Sequence, residues 1–244
     1  EVTTLRADVE TDGRRARVRF GRDFAADAER RDFTINALFA DAQGRIYDHV
    51  GGLADLAQRR VRFIGEAQTR IREDYLRILR LFRFHAQYGD GDIDADALIA
   101  CIRLRDGLDI LSRERVRAEM MKLLVAPRAA ETLRIMDETG FLTRIFGGVG
   151  NLMRYARAPN DSGAALRLAL IGVECLEDAA RLRARLSLSN EETALLENAA
   201  RLSEALRARR FSPSFHEMRR LIHRDGGSSA EAMAAILEAA GAAP

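Results

Sequence analysis

Downstream of Gly65, apolar residues recur at intervals of three and four in seven successive stretches: 73–87, 95–105, 112–125, 129–138, 163–180, 190–208 and 213–223. That period places apolar side chains on one stripe of a helix, whereas a half-buried strand needs a period of two. A chain written this way can bury its stripes only by packing helix on helix. Gly89-Asp90-Gly91, Pro127, Gly147-Gly148 and Pro159-Asn160-Asp161 separate the stretches. Ser189-Asn190-Glu191-Glu192 reads as a helix start, with Ser189 or Asn190 as cap and acids in the first turn. No fixed-period repeat is visible.

Upstream of Gly65 the pattern differs. Val2–Leu5 and Ala16–Phe20 alternate apolar and polar positions around the polar Glu10–Gly13, a strand–loop–strand passage. Asp23–Arg31 is a short polar helical stretch. Ile35–Ala40 and Arg45–Asp48 read as strands joined by the turn Asp41–Gly44, and Gly51-Gly52 opens a helix. The expected class is therefore α+β and mostly α. A mixed head over residues 1–64 precedes a helical neck over 65–126 and a helical body over 127–244.

Charge says what such a chain meets. Hydrophobic residues make up 47% and charged residues 31% of the 244, the composition of a soluble globular protein. No apolar run approaches the roughly 18 residues of a membrane span, and no secretory leader is visible, so no membrane partner is expected. Cys101 and Cys175 lie far apart without metal-type spacing, which makes a cytoplasmic setting the default. The net charge is only +2, but Lys122 is the single lysine among 39 basic residues. Residues 59–83 hold eight arginines against Glu66, Glu73 and Asp74, and residues 201–224 hold seven against Glu204 and Glu217. A GC-rich genome also produces an arginine bias, but stripes of this kind suit a polyanion. Arg207, Arg210 and Arg220 are the candidate RNA contacts. His49, His85, His216 and His223 show no ligand spacing, and no metal site is expected among these residues.

Four charged motifs stand out. Arg30-Arg31-Asp32 begins Arg-Arg-Asp-Phe-Thr-Ile-Asn-Ala-Leu; two guanidiniums pair with phosphates and a carboxylate can accept from a sugar hydroxyl. Asp48-x-x-Gly51-Gly52-x-x-Asp55-Leu56 sets two glycines between a strand and a helix, where they permit a bend. Glu73-Asp74-x-x-Arg77-x-x-Arg80-x-x-Arg83 steps by three residues, about 300° of helix, so its charges wind as a slow spiral. Tyr75, Leu79 and Phe82 fall on a different side and can anchor that helix in a core. Asp74 and Arg77, one turn apart, can form a planar acceptor–donor unit that fits the amino group and ring acceptor of cytosine or adenine. Uracil and guanine present a carbonyl instead and leave the carboxylate facing an acceptor. Ser112-Arg113-Glu114-Arg115 with Glu119 offers an N-cap and a buried-pair candidate. Each motif alone is also an ordinary ion pair, turn or cap.

Taken together and in this order, the motifs resemble the middle of a class II tRNA nucleotidyltransferase, the family of CCA-adding enzymes and bacterial poly(A) polymerases. The resemblance implies a nucleotidyltransferase head (1–64), followed by a helical neck that recognises the nucleobase (65–126) and an RNA-binding helical body (127–244). It implies that Arg31, with Asp32 beside it, contacts the incoming nucleotide. Asp74, Arg77, Arg80 and Arg83 would complete nucleotide binding. Asp48, Gly51, Gly52 and Asp55 would form a flexible element, and the Ser112 motif would brace the base-reading helix. The implied reaction is template-independent transfer of CMP or AMP from CTP or ATP to the 3′ end of tRNA. Poly(A), A-only and CC-only addition share these motifs, and an RNA-binding helical module without catalysis is the reading from another class. The family's Mg²⁺ ions are held by an Asp-x-Asp pair that does not precede Glu1, and Glu1 itself stands where an accessory carboxylate can occur. The chain is therefore expected to be a fragment, inactive alone and continued at both ends in full-length relatives. Oligomeric state and the RNAs accepted are not set by these residues.

Overall fold

The computed structural model describes residues 6–12, 15–20 and 23–209, with side chains from 23 to 204. The chain divides into two compact units, Glu1–Leu111 and Ser112–Pro244.

In the first unit, β1 (Arg6–Asp12) pairs antiparallel with β2 (Arg15–Phe20), from Arg6 opposite Phe20 to Asp12 opposite Arg15. The expected loop at Glu10–Gly13 is thus largely strand. Its register sets Glu10 opposite Arg17 and Asp12 opposite Arg15, residue types of opposite charge at paired positions. Val2–Leu5 lies outside the described residues. The helix α1 (Phe24–Glu29) follows, started by the Asp23 carboxylate, which accepts from Ala25 N at 3.0 Å and Ala26 N at 3.1 Å. The strand expected from Ile35 begins only at Leu38. Thr34–Asn36 is a 3-10 turn, closed by Asn36 N to Phe33 O and Ala37 N to Thr34 O.

β3 (Leu38–Ala40) then pairs antiparallel with β4 (Ile46–Asp48). The Asp41 carboxylate gathers the hairpin turn by accepting from Gln43 N at 3.0 Å and Arg45 N at 2.8 Å. After α2 (Gly52–Ala57), the chain runs back beside residues 32–34: Thr34 N donates to Arg62 O, Ile64 N donates to Asp32 O, and Phe33 bridges Phe63. Three helices complete the unit, α3 (Ala67–Glu73), α4 (Leu76–Tyr88) and α5 (Ala95–Arg103), with a 3-10 segment at Arg105–Ile110. The core is Phe33 against Phe63 and Phe84, at ring separations of 4.8 and 5.1 Å, above Ile71, Ile78, Leu79 and Phe82.

The second unit is helical throughout its described length: α6 (Arg113–Leu124), α7 (Ala129–Glu138), α8 (Phe141–Phe146), α9 (Leu152–Ala156), α10 (Ala164–Gly172), α11 (Leu176–Leu186) and α12 (Asn190–Arg209). The single helix expected over 163–180 is two. Val173 is extended, and the Asp178 carboxylate starts α11 by accepting from Glu174 N at 2.8 Å and Cys175 N at 3.2 Å. The start of α12 is as read: Ser189 Oγ accepts from Glu192 N, and Glu192 accepts from Ser189 N. α10 packs on α6, α9 and α12, burying Leu168, Ala169, Leu170 and Ile171. The stretch 213–223 lies outside the described residues. Among the described residues no helix is long and apolar enough to cross a membrane.

Candidate nucleotide site

The Arg-Arg-Asp segment begins one turn after a buried acid. Asp27, 1% exposed, accepts from Arg30 Nε at 2.9 Å and from Arg31 Nε and Nη2 at 3.1 and 2.9 Å. The spacings i,i+3 and i,i+4 bring both guanidiniums over one carboxylate. Arg31 Nη1 also donates to Asn36 O at 2.9 Å, and its guanidinium lies 5.1 Å from the centre of the Phe39 ring. Arg31 is thus held in one orientation while its side chain stays 31% exposed.

Asp32 turns the other way. Expected to meet a sugar hydroxyl, it is 6% exposed and accepts from Phe33 N and Asn36 Nδ2, both at 3.0 Å, and from Arg80 Nε. Burial acts to raise its pKa, but the Arg80 guanidinium, the Asn36 amide and the Phe33 N–H outweigh it. The carboxyl is held below its ordinary value. Its oxygens are committed to the fold, so Asp32 links the motif to α4.

A second link comes from Arg70, a residue the sequence reading did not single out. Its Nη2 donates to the carbonyls of Arg30 at 2.6 Å and Arg31 at 2.5 Å, and its Nη1 grips Glu73 at 2.8 and 3.0 Å. Its Nε is buried without a partner. Burial, with the charge of Arg77 added, pulls its pKa below the usual arginine value. The signal was one arginine in a stripe of eight, with backbone acceptors forty residues away that no side-chain pattern reveals.

The base-reading pair is also arranged differently. Asp74 and Arg77 were expected a turn apart on one helix, but the helix breaks at Asp74, where φ is −157° and ψ is 108°. Asp74 ends α3, and its carboxylate accepts at 3.1 Å from the N–H of Leu76, the first residue of α4, across the Tyr75 cap. Arg77 Nη1 instead donates to Glu73 and, at 2.7 Å, to Arg70 O. Arg77, Arg80 and Arg83 do share α4, where Arg80 and Arg83 lie 5.3 and 4.3 Å from the Phe84 ring centre. Leu79 and Phe82 are fully buried, as read. Tyr75 packs on Gly107, where a Cβ would come within 1.9 Å of its ring.

The two-glycine motif, expected to be flexible, is a hydrogen-bonded turn. Asp48 accepts from the backbone N–H groups of Val50, Gly51, Gly52 and Leu53 at 2.8–3.1 Å. Burial tends to raise its pKa, and the four N–H groups more than offset this, holding it low. Gly51 takes φ of 81°, and Gly52 lies so close to Thr34 that a Cβ would sit 2.2 Å from the Thr34 carbonyl oxygen. Asp55 then accepts from Thr34 Oγ1 at 2.6 Å and Arg62 Nε at 3.0 Å. In the second unit, Ser112 occupies the cap position of α6 without a side-chain cap bond, and Glu119 is 5% exposed.

Glu1, Arg210 and Arg220 lie outside the described residues, as does the side chain of Arg207. Among the described residues no group of three or more His, Cys, Asp or Glu could hold a metal ion. These residues therefore do not fit the family's Mg²⁺ site, and no step below is routed through a metal.

The family model described as the poly A polymerase head domain matches residues 1–62, and that described as the probable RNA and SrmB-binding site of polymerase A matches residues 92–151. The mitochondrial CCA tRNA nucleotidyltransferase 1 of Mus musculus is 39% identical over 199 residues, 79% of this chain and 46% of that protein. The chain belongs to the class II CCA-adding enzyme and poly(A) polymerase family. Further members are similar: the CCA-adding enzyme of Geobacillus thermodenitrificans is 42% identical over 149 residues, 60% of this chain and 37% of its own. The crystal structure of the Bacillus stearothermophilus CCA-adding enzyme in complex with CTP superposes with a TM-score of 0.74 at 26% identity. That match covers 99% of this chain and 60% of the other. The chain spans less than half the length of the curated relatives it matches. The matched segment named for RNA binding is 92–151, upstream of the arginine-rich 201–224.

Proposed function

We propose that this chain supplies the nucleotide- and RNA-binding parts of a template-independent nucleotidyltransferase. That enzyme would transfer CMP and AMP from CTP and ATP to the 3′ end of tRNA and release pyrophosphate. The observation that carries the reading is the double tie between distant motifs. Arg70 holds the carbonyls of Arg30 and Arg31, and Arg80 holds Asp32, so the phosphate-pairing Arg31 is fixed relative to the α3–α4 break. A triphosphate on Arg31 and a base edge at Asp74 then belong to one preorganised body.

Arg31 offers a fork that pairs bidentately with phosphate oxygens once Asp27 shares it. Asp74, at the break, would accept from the exocyclic amino group of cytosine or adenine, with Arg77 donating to the ring acceptor. CCA is preferred over poly(A) as product because the curated relatives carry CCA in their names. Any Mg²⁺ that the full-length enzyme uses would be held by carboxylates other than the described ones of this chain. A cytoplasmic setting is proposed from the two free, scattered cysteines; the mouse relative is named as mitochondrial.

The test is single-nucleotide incorporation into tRNA lacking its 3′ end, by the full-length gene product, with each nucleoside triphosphate in turn. Asp74→Ala should weaken rejection of UTP and GTP by roughly 1.5–3 kcal/mol, about ten- to more than a hundredfold in kcat/KM. Arg31→Ala should raise KM for CTP and ATP together and leave discrimination intact. Equal loss with all four nucleotides in Asp74→Ala would move base reading elsewhere.

A further inference from the structure

Arg70 burdens the fold that it ties together. Its side chain is only 13% exposed, and its Nε is buried without a partner. A buried donor left unpaired carries its desolvation cost in full, which an apolar side chain of similar shape would avoid. A second guanidinium presses on it as well: Arg77 Nη1 donates to the Arg70 carbonyl at 2.7 Å and shares Glu73 with it. Burial first, and then the Arg77 charge, disfavour the cationic form of Arg70. Stability alone does not account for an arginine in this place.

What the arrangement supplies is an unbroken path of hydrogen bonds between the two ends of the nucleotide site. It starts at the carbonyls of Arg30 and Arg31, which Arg70 Nη2 meets at 2.6 and 2.5 Å. It crosses the guanidinium to Nη1, which donates to Glu73 Oε1 at 3.0 Å and Oε2 at 2.8 Å. It ends at Arg77, whose Nη1 donates to that same Oε2. Both of these acceptors of Arg77, the Glu73 carboxylate and the Arg70 carbonyl, are thus placed by Arg70. Glu73 is itself 37% exposed, so without the Arg70 fork it is free to turn to solvent and draw Arg77 with it.

We propose that Arg70 is a positioning residue for nucleotide choice. It acts through Arg77: by fixing Glu73 and its own carbonyl it sets the direction of the base-reading guanidinium, and it keys that direction to the backbone that carries Arg31. The proposal rests on the nucleotide reading above, in which Arg77 meets the base and Arg31 the triphosphate. A planar fork is needed because one edge takes the two carbonyls while the other takes the carboxylate. A lysine ammonium is a compact point charge and cannot span both.

The experiment compares kcat/KM for CTP and UTP in single-nucleotide incorporation by the full-length protein. Arg70→Lys should lower the CTP-to-UTP ratio about tenfold or more, the scale of one charged hydrogen bond. A merely structural role would not move this ratio, since a smaller folded fraction lowers both rates together. Glu73→Gln leaves the ties to Arg30 and Arg31 in place and interrupts the path one step later. It should lower the ratio similarly, and it reads the path even where Arg70→Lys folds poorly. In an Arg77→Ala background, Arg70→Lys should add no further loss, because the residue it acts through is gone. A parental ratio in Arg70→Lys would overturn the proposal, as would a loss that adds in full to that of Arg77→Ala. The reading above fails by a different result, equal loss with all four nucleotides in Asp74→Ala.

Discussion

A carboxylate with every oxygen engaged acts on stability before it acts on a ligand, and Asp32 is the test of that statement. Asp32→Asn would leave the Arg80 guanidinium facing an amide, at a cost of roughly 1.5–3 kcal/mol for the lost charged hydrogen bond. The sign of the pH dependence follows from its lowered pKa. The contribution is complete above the unfolded aspartate value of about 3.9 and is lost as pH falls through the lower folded value. Urea unfolding should therefore show a constant gap between parent and variant near neutrality, shrinking only below about pH 4. A gap that instead closed between pH 6 and 8 would assign it to another group. At this scale the sequence was partly legible. Asp27-x-x-Arg30-Arg31 carries its ion pairs in its spacing, and the motif itself singled out Arg31. Asp32 was read as a ligand contact because a carboxylate can accept from a sugar hydroxyl, whereas here it accepts from Phe33 N, Asn36 Nδ2 and Arg80 Nε. Arg70 was hidden because its acceptors are carbonyls.

Apolar period locates helices well and their interruptions poorly. The bounds of α7 match the stretch read at 129–138, yet 73–87 and 163–180 each turned out to be broken. In both cases an aspartate carboxylate, Asp74 or Asp178, accepts from backbone N–H groups at the start of the next helix, and the hydrophobic stripe runs on across the break. The break at Asp74 is braced from outside by the 3-10 segment Arg105–Ile110, whose Gly107 lies flat on the Tyr75 ring. Only glycine fits: a Cβ would lie 1.9–2.2 Å from three ring carbons. Gly107→Ala must displace Tyr75 or the segment, at about 1–3 kcal/mol of overpacking. Because Tyr75 follows Asp74 directly, we expect this variant to lose both stability, seen as a lower urea midpoint, and discrimination between CTP and UTP. A variant with the lower midpoint but the parent's discrimination would make Gly107 a packing residue alone.

The helical content of the described residues was legible because it is a property of period, and so was the mixed character of the described part of the first sixty-odd residues. The division into units was less so. An unbroken sequence of amphipathic helices does not announce which stripes share a core, and the observed boundary at Leu111 and Ser112 falls inside the stretch read as one helical neck. Within the second unit, Leu133, Met136, Phe141, Leu168, Leu182 and Leu196 are all fully buried. Arg154 ties its helices by donating to Val173 O at 2.9 Å and Glu174 Oε1 at 2.7 Å, and Tyr155 donates to Leu124 O at 2.7 Å. A unit with its own core and its own polar ties is expected to fold by itself. Residues 112–244 expressed alone should retain helical circular dichroism and unfold in urea as a single cooperative transition, with a slope of about 1–3 kcal/mol per molar. Replacing Leu168 with Ala should shift that transition to lower urea by the equivalent of about 2–5 kcal/mol, the cost of a cavity at a closed core. Helical signal that fades gradually, indifferent to Leu168→Ala, would mean that these helices need the first unit to complete their packing.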